Sequence, residues 1–182
     1  MRWLEHLREL HESGWKPVGT GGLAGAGAFA LYCAWFANTG EGWVHVLDGA
    51  NLAFHEAGHP IFGMLLGSSI AVYGGTLGQL AFPLVVIGSF WARRETASFA
   101  IGVLWLFENF WNIARYMADA RAQLLPLVGG GEHDWTEILS RWGVLHLDTT
   151  LAGAVRLIAW GGMFATLGWL AWRWNDDKQY AD

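Results

Sequence analysis

The stretch NLAFHEAGHPIFGMLLG, residues 51–67, carries both the fold and the chemistry of this chain. Its apolar residues suit a helix in hydrocarbon, yet His55, Glu56 and His59 stand in its middle. Ionisable groups at that depth are costly, and their default reading is functional. The flanks are just as apolar. From Pro17 to Trp91 there is no Lys or Arg, and the only acids are Glu41, Asp48 and Glu56. A water-facing surface is hard to build from such a segment. The 182 residues are 53% hydrophobic and 15% charged, and 25 glycines with 13 tryptophans point to close helix packing and interfacial belts. A net charge of −5 leaves no basic surface for nucleic acid. Cys33, the single cysteine, rules out an internal disulfide and a thiolate metal cluster.

These patterns predict an all-α integral membrane protein, a polytopic bundle of four or five transmembrane helices. The expected helices cover about 18–37, 43–66, 77–91, 97–124 and 149–172, the first of them about the 20 residues a bilayer requires. Between the second and third, GSSIAVYGGTLG (67–78) places β-branched and aromatic residues among glycines, which predicts a short re-entrant strand or loop. Residues 1–17 read as an interfacial amphipathic helix, 18–172 as a single transmembrane metal-binding domain and 173–182 as a solvated tail. Arg2, Arg8 and Lys16 compete with Arg93 and Arg94, so charge bias leaves orientation open. The expected location is the cell (inner) membrane, as a multi-pass protein in contact with lipid.

His55 and His59 are four apart and share one helix face, where their imidazoles can meet one ion. This is the H-E-x-x-H pattern, in which two histidines bind zinc and the intervening carboxylate, here Glu56, acts as general base. The competing reading is a set of metal-free interhelical hydrogen bonds. A third ligand is needed. Glu108, Asn112, Arg115 and Asp119 form a polar stripe on the fourth helix, and Asp119 is the leading candidate, against an ion pair with Arg115 or Arg121. Glu108 sits deeper and is placed to pair with Arg115. On the GGGEHDW loop, His133 and Asp134 are alternatives, as ligands or as substrate-side groups, against a plain turn and helix cap. Asp48 and Asn51 share a face with His55 and are second candidates, with Asn112, for orienting a ligand.

With HEAGH on a hydrophobic helix, AVYGGTLGQLAFP after it and FENFWNIARYMAD and HDW later, residues 43–140 resemble the site-2 protease family of intramembrane zinc metalloproteases, and most closely its small M50B-like branch. The resemblance implies Zn2+ held within the membrane by His55 and His59, with Glu56 catalysing peptide-bond hydrolysis in transmembrane protein or peptide substrates. The family's downstream Leu-Asp-Gly segment has no counterpart here, since Leu47–Gly49 precedes the histidines. A non-proteolytic metal-binding membrane protein is the alternative: a transport component or an inactive client-binding relative. Association with itself or with a partner subunit stays open.

Overall fold

The computed structural model describes residues 14–128 and 132–179. They form α1 (Thr20–Asn38), α2 (Leu47–Leu66), α3 (Ser68–Ala92), α4 (Thr96–Ala118), α5 (Asp134–Arg141), a 3-10 turn (Leu145–Leu147) and α6 (Asp148–Gln179), with no strand among the described residues. Three segments are long and apolar enough to cross a membrane: α1, α3 and the stretch Leu145–Gln179. Their outer faces leave Leu31 73%, Val85 70% and Leu157 72% exposed. An apolar exterior of that kind belongs against lipid rather than water.

The expected four or five spans become three by this measure, for a physical reason. Helices α2 and α4 have 20 and 23 residues, long enough to span, but they bury Asp48, Asn51 and His55, and Glu108 and Asn109, respectively. They are the polar centre around which the apolar helices pack. Helix α4 is the hub, touching every other helix. Ala26, Ala30, Cys33 and Ala37 of α1 lie buried with Leu104 and Trp111 of α4 and Ala159 and Met163 of α6. At Gly162 of α6 a Cβ would overlap the Phe107 ring, so this glycine sets how close α4 and α6 come.

The strand or loop expected at 67–78 is instead the first half of α3. Only Gly67, at φ 96°, turns the chain, and α2 and α3 fold into a hairpin across this one residue. The other glycines serve contact rather than turning. A Cβ on Gly58 would overlap the Gly74 carbonyl, one on Gly74 would sit 2.6 Å from Gly58 O, and one on Gly78 would overlap Phe54 O. The two backbones touch, as helices with small residues at their interface can.

Of the expected interfacial helix, residues 1–13 lie outside the described residues. Residues 14–17 dock on the α3–α4 turn: Lys16 N–H donates to Arg94 O (2.9 Å) and Lys16 Nζ to Glu95 Oε1 (3.2 Å). That ammonium holds the Glu95 carboxyl below its ordinary range. The tail expected from residue 173 begins as helix. Helix α6 continues to Gln179 and is tied back, because Val18 N–H donates to Asp177 Oδ2 (2.8 Å) and Lys178 lies over Trp174 (4.3 Å).

Candidate metal centre

Helix α2 presents His55 and His59 one turn apart, their rings edge to face at 4.9 Å. Gly75 of α3 makes room for the first: a Cβ there would come within 2.7 Å of His55 Cδ2 and nearer to the ring's tip. Across the cleft, Asp134 opens α5, where the helix dipole favours a negative charge. Its N–H donates to Tyr116 Oη (3.2 Å), which anchors the start of α5 to α4. Asp134 Oδ2 then lies 2.8 Å from His55 Nε2 and 3.3 Å from His59 Nε2. The ligand atoms of all three residues fall within 4.8 Å of one another.

The far nitrogen of each ring is held by α3. His55 Nδ1 is 2.9 Å from Gln79 Oε1 and His59 Nδ1 is 2.8 Å from Ala71 O. The His55 side chain is 8% exposed and that of His59 27%, so the pair reaches from the interior to the wall of a cleft of about 730 Å³. Glu56 lines the same cleft, half-buried, with no hydrogen bond or ion pair to another described residue. The arrangement can hold a divalent cation between two imidazoles and a carboxylate, or hold a proton in its place.

No protein-family model, curated protein or solved structure matches the chain.

The structure brings Asp134, not Asp119, to the histidines. Helix α4 ends at Ala118, and Asp119 caps it, accepting from Leu124 N (2.9 Å) and Leu125 N (3.0 Å). Its carboxylate therefore organises the following turn. His133 is the N-cap of α5, accepting from Thr136 N (3.4 Å), with Nε2 3.5 Å from Asp119 Oδ2 and its ring 4.1 Å from Tyr116. Burial pushes the His133 imidazole below its ordinary pKa. The expected ion pairs on the stripe do not form either. Arg115 donates from Nε to Glu41 O (2.7 Å) over Trp43, and Arg121 pairs with Asp148 at 2.7 Å.

Asp48 and Asn51 make no hydrogen bond to the His55 side chain, whose partners are Gln79 and Asp134. They belong to a deeper network in which Asn51 Nδ2 donates to Glu108 Oε2 (2.9 Å) and Asn112 Nδ2 to Asp48 Oδ1 (2.8 Å). Gln79 Nε2 donates to Asn112 Oδ1 (3.2 Å) and Asn109 Oδ1 (3.1 Å), connecting that network to His55. Gln79 and Tyr116 are the site residues that sequence reasoning missed. A glutamine standing alone among the glycines and apolar residues of α3 was the one available signal for the first. Tyr116, on the Asn112 side of α4, had none.

Proposed function

We propose that this chain is a zinc-dependent membrane hydrolase, an intramembrane peptidase acting on transmembrane protein or peptide substrates. One observation carries the reading: two imidazole nitrogens and a carboxylate oxygen, all able to ligate one ion, converge on the cleft. The Ala71 carbonyl can only accept, so His59 Nδ1 carries the proton and its Nε2 presents a lone pair. His55 engages Gln79 Oε1 in the same way, and Asp134 adds a carboxylate oxygen. With the rings neutral, lone pairs this close repel unless a proton or a metal ion lies among them, and a metal ion engages all three groups at once.

Two imidazoles and a carboxylate form a donor set that catalytic zinc uses. Ligands at about 2.0–2.1 Å on a tetrahedral ion are about 3.3–3.4 Å apart. The His59–Asp134 separation of 3.3 Å fits, and the His55–Asp134 separation of 2.8 Å has to open by a small side-chain rotation. When bound, the ion supplies Lewis acidity toward a carbonyl and lowers the pKa of a water. The chain supplies the rest. Glu56, unpaired on the cleft wall, accepts a proton on its carboxylate and returns it to the departing amine. The Tyr116 hydroxyl and Arg115 line the same cleft, where they meet the polar backbone of a substrate. The H-E-x-x-H spacing, the apolar bundle and the resemblance to site-2 proteases support the same reading, as does a multi-pass arrangement in which α2 and α4 also span.

The test is metal analysis of protein purified in detergent, followed by cleavage of single-span reporters. About one zinc per chain in the wild type, lost in the His55→Ala, His59→Ala double variant, supports the site. Equal cleavage of a reporter by wild type and Glu56→Gln defeats the peptidase reading. A second reading, a metal-transport component, draws on the polar file from His55 through Gln79 and Asn112 to the buried carboxyls Asp48 and Glu108. Zinc flux into proteoliposomes that depends on Asp48, with no cleavage of any reporter, favours it.

A further inference from the structure

We infer that Gln79 is a positioning residue of this centre. A chain of side-chain amides ending at Trp105 locks Gln79 so that only Nε2 of His55 can bind the metal. The inference rests on the metal reading above. It follows from the directions of the hydrogen bonds, traced from a group that has only one role.

The Trp105 indole N–H can donate and cannot accept. It meets Asn51 at 3.0 Å, so the atom there is the amide oxygen, Oδ1. Asn51 Nδ2 then faces the carboxyls, 2.9 Å from Glu108 Oε2 and 3.3 Å from Asp48 Oδ1. The Asn109 atom 3.1 Å from Asn51 Oδ1 must be a donor, Nδ2, which turns the Asn109 oxygen toward Gln79. Gln79 answers with Nε2, at 3.1 Å. Its remaining end, the carbonyl oxygen, faces His55 Nδ1 at 2.9 Å and requires a proton there. The second branch agrees: Asn112 donates to Asp48 Oδ1 and accepts from Gln79 Nε2, while Val44 N–H occupies Asp48 Oδ2. Two routes fix one orientation of Gln79. Asn51, Gln79 and Asn109 are buried, so water is not on hand to reverse it.

With Nδ1 protonated, the His55 lone pair lies on Nε2 and points at Asp134. An outer partner of this kind fixes the tautomer and raises ligand basicity, and its loss typically costs 10–100-fold in metal affinity. Gln79 touches neither metal nor substrate and acts only through His55.

The experiment measures zinc affinity of the full chain in detergent by competition with a chromogenic chelator, for wild type, Gln79→Leu and Gln79→Glu. In parallel, 15N spectra of histidine-labelled, zinc-loaded wild type report which His55 nitrogen holds the proton. We expect zinc on Nε2 with Nδ1 protonated, and binding about 10–100-fold weaker in Gln79→Leu. Gln79→Glu, which keeps an acceptor against Nδ1 but loses the donor to Asn109 and Asn112, recovers part of that loss, whereas a purely structural role predicts no such rescue. Undiminished binding in Gln79→Leu, or zinc on Nδ1 in wild type, overturns the positioning role and leaves the metal reading standing. Absence of zinc binding in wild type overturns both. If Gln79→Leu does not fold, the wild-type spectrum and Gln79→Glu still decide.

Discussion

Substituting alanine for Gly75 attacks the centre without touching a ligand. The new Cβ would sit 2.7 Å from His55 Cδ2 and nearer still to Nε2, where ordinary contacts begin at 3.4 Å. The ring tip has to retreat by about 0.7 Å or more, because repulsion rises steeply inside that distance. Zinc–ligand distances hold to about 0.2 Å, so a displacement of this size removes one ligand from the set. We expect zinc affinity to fall at least about 100-fold, which is about 2.8 kcal/mol. The overlap is with the end of a side chain rather than with backbone, so the fold should survive. Gly88→Ala on the same helix, with open space around it, is the control, and gains a few tenths of a kcal/mol up to about 1 from helix propensity. Chelator competition and thermal melting of metal-free protein in detergent read the two effects separately. Gly75→Ala protein that melts like wild type and binds zinc as tightly would refute the placement of His55 against α3.

Asp134→Ala should lose bound metal. Asp119→Ala should keep it and melt earlier, by about 1 kcal/mol, since the two donors that lose the carboxylate, Leu124 N–H and Leu125 N–H, are only part-buried and can turn to water; the reverse pattern in metal content restores Asp119 as the ligand. Gly58→Ala, whose Cβ meets backbone, should open the α2–α3 hairpin and lower folded yield, which detergent-phase size exclusion measures against Gly88→Ala. Glu56→Gln should retain zinc and reduce reporter cleavage by about 10²–10⁴-fold.

The H-E-x-x-H pair was legible because its spacing and its helix are local properties of the sequence. Which of Asp119, His133 and Asp134 joins the histidines was not. Asp119 continues the period of Glu108, Asn112 and Arg115, but the helix stops one residue before it, and a stripe read by period cannot register that end. Asp134 joins His55 across 79 residues, a distance closed by tertiary packing alone. The glycines of 67–78 misled for a related reason. Glycine serves both turns and close helix contact, and only Gly67 has the positive φ of a turn. The four-residue spacing of Gly74 and Gly78 was the cue for contact. The bundle itself was readable from the absence of cations between Pro17 and Trp91, while the number of spans was obscured by the polar load on α2 and α4.

Helix α3 holds both imidazoles from behind, at Ala71 and at Gln79, and so acts as a ruler for the centre. A helix turns about 100° per residue, so one residue inserted between these two positions would swing one support off its ring while leaving HEAGH untouched. A relative that holds the same site is therefore expected to keep this interval fixed and to change length elsewhere. An intact HEAGH followed by an altered interval marks a copy that has kept its motif and lost its centre.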